Sequence, residues 1–399
     1  MKQNRKTQTP DGVYDYLPPD AAIHNQLKKS VTREFEAWGY NCVEAPMLEY
    51  YELYNSAEIN ADEEMFKLVD GKGCLLALRP DITTSVARMA AVKMSAEALP
   101  LRLSYAGDVF RFGVKEVKQM TQRSQIGVEL LGDHAVSADA EVIALAITAL
   151  KRVGLQNFQI EIGQVSFFKG LMKEAGLDSD TAEAVRELVE QKNMLGIEML
   201  LQDMPGNKAL HQIIAELPYL YGGAEILERA GRLTNQPQCA QAIERLKSVY
   251  HTLCAFGLSE YVTFDLGMVQ SLDYYTGIIF RGISFGMGAP ILNGGRYDGL
   301  MEKFGASMPA VGFAIELSGL CEAAEIAGIH FDELPRICML GYIHGNESFA
   351  FGQAAILSAT GERVILYPCE NADDLMLYAK ERHASKVLLA NGEIVESLR

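Results

Sequence analysis

The chain has 399 residues, 49% of them hydrophobic, and its 36 Lys and Arg against 52 Asp and Glu give a net charge of −16. This length and apolar content predict two or three domains with sizeable cores, while the acidic balance argues against a broad nucleic-acid-binding surface. No stretch approaches the ~20 apolar residues that a membrane span needs, and the basic start MKQNRKTQTPDG lacks the apolar segment of an export signal.

The seven cysteines are scattered along the chain without CxxC spacing. That spacing is typical of zinc sites and redox motifs, and an odd number of cysteines does not suit a disulfide framework. We therefore expect reduced thiols that serve as small core residues, in a cytoplasmic protein that binds no metal.

The first elements in chain order are a helix and an edge strand. Apolar residues repeat every three or four positions after Asp20 and stop at Gly39, which predicts a helix over 20–38. The extended stretch 41–54 contains Pro46, which a central strand rejects, so this strand is expected at an edge or an interface. The next predicted elements are a strand at 73–79, a helix start at 81–91, and two long strands at 101–112 and 122–132 joined by a polar linker.

The strand predicted at 122–132 carries two polar residues on one face. Gln125, Gly127 and Glu129 alternate with apolar residues, so they point to the same side, with the glycine leaving space between the other two. A buried amide and carboxylate are unfavourable unless a ligand or a partner satisfies them. This face is therefore a candidate binding surface.

The rest of the chain changes from helical to mixed patterns. Residues 140–150 form an apolar run that predicts a core helix, and from about 165 to 258 the pattern predicts an all-helical insertion. Residues 333–399 alternate strand and helix patterns and predict a small α/β unit. Between these segments the predicted elements are strands at 261–267 and 276–282, a glycine turn leading into a helix at 288–305, and a helix at 309–328.

Several polar residues fit no core pattern, and together they offer what a free amino acid needs. Its ammonium group needs carboxylates or amides, its carboxylate needs a cation, and a ring needs aromatic walls. Taken singly, each of these residues is more often structural, as a satisfied buried pair or as part of a wall. The set is Asp81, Thr83, Arg111, Gln125, Glu129, Tyr275, Arg296 and Tyr297.

Seven segments of the chain carry recognisable motifs: TPDGVYDYLPPD, GYNCVEAPMLEYYELY, LRPDITTSVAR, LSYAGDVFR, SQIGVELLG, SLDYYTG and NGGRYDGL. Over roughly residues 8–330 they resemble the histidyl-tRNA synthetase family. The resemblance implies an α+β fold of the class II aminoacyl-tRNA synthetase type, an antiparallel sheet with flanking helices, over residues 1–332. It also implies that the segment around Pro46 is a dimer-forming strand.

The resemblance implies a histidine-binding site without cofactor or metal. The family's amino-acid-binding positions match the following residues of this chain: Asp81, Thr83, Gln125, Glu129, Tyr275 and Tyr297. Asp81 stands where the family usually has a glutamate. Its side chain is shorter but carries the same charge. The candidate histidine-binding set also includes Arg111, Tyr274 and Arg296.

The ATP-binding positions depart from the family pattern. Gln270 stands where the synthetases carry an arginine, and Gly113 stands where motif 2 has a glutamate. Ser318 and Gly319 replace the Glu-Arg pair of motif 3, and Glu316 replaces a glycine where nucleotide would sit. Loss of cations removes stabilisation of a transferring phosphoryl group, and an added acid repels a triphosphate. The resemblance therefore implies a pocket that binds histidine and contains no catalytic residue.

The tail departs from the family as well. Residues 335–399 contain six Lys or Arg and eight Asp or Glu, a net charge of −2. The anticodon-binding domain of a synthetase is larger and usually basic. Residues 333–399 thus resemble a shortened, degenerate anticodon-binding domain that is poorly suited to grip tRNA.

A related family matches these departures. The chain resembles the regulatory subunits of ATP phosphoribosyltransferase, non-catalytic relatives of the synthetases in the first step of histidine biosynthesis. The resemblance implies a homodimer that joins the short catalytic subunit in a hetero-oligomer, is required for its activity and allows feedback by histidine, with neither tRNA nor membrane as a partner. The short tail and the helical insertion are both candidates for the contact with the catalytic subunit.

Three alternatives remain open at this point. A divergent but active histidyl-tRNA synthetase would catalyse histidine-dependent ATP–pyrophosphate exchange. A stand-alone histidine-binding sensor would not activate a phosphoribosyltransferase chain on mixing. A synthetase-like factor that modifies another protein would still need the ATP-binding arginine that the motif 3 positions lack.

Overall fold

The computed structural model describes residues 5–55, 65–112, 120–202, 204–269, 275–331, 336–392 and 394–398. The chain divides into two compact units, Met1–His330 and Phe331–Arg399. The boundary predicted from the sequence lies two residues later, after residue 332. Within the described ranges, no helix combines the length and the apolar character that a membrane crossing requires.

The first unit is built on strands that pair mostly antiparallel. Its strands are β1 Asn41–Cys42, β2 Leu48–Tyr50, β3 Lys67–Val69, β4 Leu75–Leu78, β5 Leu101–Phe110, β6 Gln122–Leu131, β7 Phe158–Gln164, β8 Tyr221–Gly222, β9 Val262–Asp265, β10 Ile278–Ser284, β11 Leu292–Arg296 and β12 Ala310–Glu316. One nine-stranded sheet has the order β1-β5-β6-β12-β11-β10-β7-β9-β8, and a small sheet has the order β2-β4-β3. Only the β1–β5 and β7–β9 pairings in the large sheet are parallel, among the strands that the structure describes.

Helices flank this sheet. They are α1 Asp20–Ala37, α2 Glu52–Asn55, α3 Thr83–Lys93, α4 Val136–Val153, α5 Val165–Glu174, α6 Ser179–Glu190, α7 Met194–Gln202, α8 Lys208–Glu216, α9 Glu225–Gly231, α10 Pro237–Ala255, α11 Asp298–Glu302 and α12 Leu317–Ile326. Helices α1, α4 and α12 pack on the β5–β6–β12 part of the sheet, where Phe35 meets Phe313 edge to face. The apolar run at 140–150 lies inside α4, which is buried almost all round, as the sequence predicts.

Two predictions for the segment after residue 288 are right only in part. The glycine turn leading into a helix that was expected at 288–305 contains the strand β11 before the helix α11, and the helix expected at 309–328 begins with the strand β12 before α12. Every side chain of AVGFAI is apolar or small, so its period does not distinguish strand from helix. Pairing with β6 and β11 makes it a central strand.

Helices α5 to α10 form the helical insertion between β7 and β9, but the insertion is not all-helical as predicted, because it also contains the short strand β8, which pairs with β9 at the edge of the sheet. An ion-pair group ties it to the sheet: Lys192, from the turn after α6, donates to Asp265 on β9 at 3.0 Å, and Arg281 on β10 donates to Glu161 on β7 at 2.6 Å. These side chains line a cavity of about 450 Å³. Because each charge has an opposite charge beside it, the group is a structural link between the insertion and the strands.

The second unit is a small α/β layer structure. Its elements are β13 Ile337–Tyr342, α13 Glu347–Ala359, β14 Arg363–Pro368, α14 Ala372–Glu381, β15 Lys386–Asn391 and β16 Ile394–Leu398. The sheet order is β14-β13-β15-β16, with β16 antiparallel to its neighbour. Two small cores lie on opposite faces of this sheet, centred on Met339 and on Leu340. The alternation of strand and helix predicted for this segment is therefore confirmed.

Candidate functional site

A buried carboxylate surrounded by hydroxyl groups lies on β6, an inner strand of the large sheet. Glu129 on β6 is 1% exposed. Its Oε1 accepts hydrogen bonds from Thr83 Oγ1 at 2.7 Å and from Tyr105 OH at 3.2 Å, and its Oε2 accepts one from Tyr297 OH. A carboxylate offers about four acceptor positions. These three donors from the described residues therefore leave room for one more donor, which a ligand N–H can supply.

Tyr105 was not among the residues that the sequence indicated. It lies on β5 directly opposite Gly127, and a Cβ on that glycine would lie 2.5 Å from the Tyr105 hydroxyl. The space that the sequence predicts beside Gly127 is thus filled by the Tyr105 phenol rather than left open. The available signal was an aromatic residue in one strand and a glycine in its partner strand. This signal can be used only when the register of the two strands is known.

Two further glycines make room for the polar side chains on this face. Gly312 on β12 pairs with Glu129, and a Cβ there would overlap the carboxylate Oε2. Gly295 on β11 lies beneath Tyr275, and a Cβ there would lie 2.7 Å from the ring. Since neighbouring strands carry glycine at these points, the carboxylate and the aromatic ring can approach the backbone of the sheet closely.

The environment of this face changes the protonation of its carboxyl groups. Burial raises the pKa of Glu129 to about 7, while the hydrogen bonds from Tyr297, Thr83 and Tyr105 oppose that shift. Burial also raises the pKa of Asp81, against the hydrogen bond from the Thr84 N–H at 2.7 Å. Burial therefore disfavours a charge at either position, and a cationic ligand or N–H donor would stabilise it.

Arg111 is a cation that acts on Asp81. Its Nε donates to the carbonyl of Pro80 at 2.9 Å, which holds the side chain near Asp81. Its charge lowers the pKa of Asp81, against the larger effect of burial. The pKa of Tyr275 is raised by burial and by Glu129, and Arg111 opposes that shift. Acid, cation and aromatic ring are therefore close enough to act on one another, as one amino-acid ligand requires.

Gln125 lies four residues before Glu129 on the same face of β6. Its Nε2 donates to the carboxylate of Glu316 at 2.6 Å, and the two residues are paired across β6 and β12. The sequence singles out Glu316 only as an acid near the nucleotide position and does not indicate this contact.

Arg296 does not join the group around Glu129. It is 3% exposed, and its guanidinium lies 2.7 Å from Asp139 on α4 and 3.1 Å from Asp298. This arrangement is a buried ion pair between helix and sheet, a role that the sequence could not separate from ligand binding. Asp139 itself carries no sequence signal, because it lies in a long apolar helix.

Of the nine candidate residues, eight lie in the part of the chain that the structure describes, and six of these surround Glu129 or include it. On the glycine-lined face lie Asp81, Thr83, Arg111, Glu129, Tyr275 and Tyr297, with Gln125 further along β6. Arg296 is engaged elsewhere, and Tyr274, Gln270 and Gly113 fall outside the described residues. The arrangement can bind a small ligand that carries N–H donors, a carboxylate and a flat ring.

Known proteins share this architecture. The family model for histidyl-tRNA synthetase matches residues 12–320. A protein of Acetivibrio thermocellus named ATP phosphoribosyltransferase regulatory subunit is 43% identical over 333 residues, covering 83% of this chain and 79% of that protein. A protein of the same name from Thermoanaerobacter is 38% identical over 365 residues, covering 91% and 95%.

A solved structure agrees with these matches. It is described as an ATP phosphoribosyltransferase regulatory subunit/histidyl-tRNA synthetase from Bacillus halodurans, and it superposes with a TM-score of 0.87 at 33% identity, covering 97% of this chain and 98% of that one. The class II aminoacyl-tRNA synthetase-like fold expected from the sequence is therefore confirmed. The chain belongs to the family of ATP phosphoribosyltransferase regulatory subunits, which are built on the histidyl-tRNA synthetase domain.

Proposed function

We propose that this chain is the non-catalytic regulatory subunit of an ATP phosphoribosyltransferase in histidine biosynthesis, and that it binds free histidine on the glycine-lined face. The short catalytic subunit requires this chain for activity, and histidine bound here reduces that activity. The observation that carries the proposal is the carboxylate of Glu129, which holds three hydroxyl donors and has room for a fourth donor.

The chemistry of histidine fits the groups on this face. An imidazole N–H is the donor that the remaining acceptor position of Glu129 suits. The α-ammonium group suits Asp81 and the amide oxygen of Gln125, and the α-carboxylate suits Arg111. Tyr275 supplies an aromatic wall, packed against the apolar cluster of Val165, Met268 and Ile279.

The charges at the edge of the site support binding without activation of the amino acid. Glu316 places a carboxylate beside Gln125. Activation by ATP needs cations around the triphosphate, and a carboxylate there raises the energy of bound nucleotide. Ser318 and Gly319 lie in the first turn of α12, where the synthetase family carries its Glu-Arg pair.

The small sheet β2-β4-β3 supports a homodimer. It exposes a group of apolar side chains, Met47, Leu48, Tyr50, Leu68 and Val69, of which Val69 is 70% exposed. It lies next in sequence to β1, the edge strand of the large sheet. Exposed apolar patches of this kind are typical of protein interfaces, and a second copy of this chain would cover them.

Feedback requires that histidine bind one state of the assembly more tightly than another. The free energy of coupling equals that difference in binding free energy. A ligand that ionises Glu129 and neutralises Asp81 gains more from a closed, water-excluding pocket than from an open one, because opposite charges attract more strongly at low dielectric constant.

The decisive experiment mixes the pure chain with a short catalytic subunit and assays phosphoribosyl transfer with and without histidine. We expect activity only in the mixture, and inhibition by histidine that Glu129→Gln relieves. Full activity of the catalytic subunit alone would refute the requirement. Histidine-dependent ATP–pyrophosphate exchange by the pure chain would establish a synthetase instead, and histidine binding without any activation would establish a stand-alone sensor.

A further inference from the structure

We propose that Glu316 is a positioning residue that turns the amide of Gln125 so that its oxygen faces the ligand, and that it thereby selects ligands with an ammonium group. The inference rests on the proposed histidine site and adds a determinant of specificity to it. Glu316 lies at the end of β12, directly across from Gln125 on β6, and its Oε1 is 2.6 Å from the Gln125 Nε2.

The chemistry of the two groups sets the orientation of the amide. An ionised carboxylate only accepts hydrogen bonds, so the amide must turn its NH2 group towards Glu316. The Oε1 of Gln125 then points away from Glu316 and is the acceptor that this side chain offers to a ligand. With no acid at position 316, the amide could turn over and present its NH2 group, which repels an ammonium ion. Fixing the amide before binding avoids the entropy of ordering it during binding.

The backbone holds Glu316 in place for this contact. Its N–H donates to the carbonyl of Ile291 at 3.0 Å, so the residue is fixed to the strand β11 side of the sheet. Glu316 also stands at the N-cap of α12, a position from which Ser, Thr, Asp and Asn side chains often accept from the helix N–H groups. Its side chain makes no such capping bond. The carboxylate is instead directed to Gln125, which is 191 residues away in the sequence.

The test compares two ligands that differ by one group, L-histidine and 3-(imidazol-4-yl)propionate, which lacks the ammonium group. Their dissociation constants are measured by calorimetry on the full chain. We expect Glu316→Ala to weaken histidine binding about tenfold, which is about 1.4 kcal/mol, and the analogue less than about twofold. Glu325→Ala, on the exposed side of the same helix, is the matched control and should change neither constant.

A second variant distinguishes orientation from a general loss of structure. A carboxylate accepts at both oxygens and needs no orientation, so Gln125→Glu combined with Glu316→Ala should restore the preference for histidine over the analogue. In the presence of Glu316 the same Gln125→Glu change puts two acids at hydrogen-bond distance, and we expect it to weaken folding or binding.

The outcomes separate this inference from the proposed function. Wild-type chain that binds neither ligand refutes the histidine site, and the role of Glu316 with it. Wild-type chain that binds histidine, with a Glu316→Ala variant that binds both ligands as before or weakens both equally, overturns only the role of Glu316. Loss of the preference in Glu316→Ala together with its recovery in the double variant supports the orienting role.

Discussion

Replacing Glu129 by glutamine tests whether burial raises the pKa of this carboxyl group in the folded chain. Glu129 is buried, and its pKa is about 7 in the folded chain against 4.5 for an exposed glutamate. Between these two pH values the folded state holds a proton that the unfolded state has lost. The free energy of unfolding therefore falls as pH rises through this window, by about 3 kcal/mol in total, because each pKa unit corresponds to about 1.4 kcal/mol.

Glutamine has nearly the same shape and does not titrate. At about pH 4.5 the wild type, with Glu129 protonated, and the Glu129→Gln variant should differ little, and by about pH 8 the variant should have gained about 3 kcal/mol relative to the wild type. Urea unfolding followed by tryptophan fluorescence measures this difference in the first unit, because the single tryptophan of the chain is Trp38. A parallel series with Glu325→Gln, an exposed residue, controls for general effects of charge.

The pH dependence of the difference is the critical quantity. A constant offset between Glu129→Gln and wild type across this range would show that the carboxyl group titrates normally, and the picture of a desolvated acid would be wrong. Added histidine should make the wild type the more stable of the two proteins, since the ligand favours the ionised carboxylate that the glutamine variant lacks. A Glu129→Gln variant that is more stable than wild type at about pH 8 and binds histidine poorly would support both the raised pKa of Glu129 and its role in binding histidine.

Three more changes follow from the same structure. Tyr275→Ala should weaken histidine binding or feedback without abolishing assembly, as calorimetry and sedimentation would measure, because it removes an aromatic wall of the site. Arg296→Met should lower the free energy of unfolding by roughly 3 kcal/mol, since it leaves a buried carboxylate with one arginine fewer, whereas Arg229→Met, at the solvent-exposed pair with Glu216, should cost about 0.5 kcal/mol or less. Gly312→Ala should displace the Glu129 carboxylate and reduce histidine affinity at least about tenfold. Gly288→Ala, whose Cβ meets no atom within 4 Å, should leave the histidine affinity unchanged.

Specific results would contradict these expectations. Intact histidine inhibition in the Tyr275 variant would count against the pocket as the inhibitory site. Equal destabilisation by the two arginine changes would mean that the Arg296 ion pair is as weak as a surface pair. Unchanged histidine affinity in the Gly312 variant would show that the ligand does not depend on the position of the carboxylate.

Part of this site could be predicted from local patterns in the sequence. Alternation along one strand puts Gln125 and Glu129 on the same face, and this period belongs to the strand itself. The helix after Asp20 and the helical insertion also follow from local periodicity. Motif resemblance then indicated the fold, because the family's signature residues lie in short contiguous segments.

The contacts that shape the site were decided by tertiary structure. Tyr105 reaches Glu129 only because β5 and β6 pair in one register, and Glu316 meets Gln125 across two strands that are far apart in sequence. The β12 segment is a strand because both of its edges find partners, although its own apolar pattern suits a helix equally well. The local period of a strand indicates on which face of the sheet a side chain lies. Its partners across the sheet depend on the register between segments that are distant in the sequence, and no local pattern specifies that register.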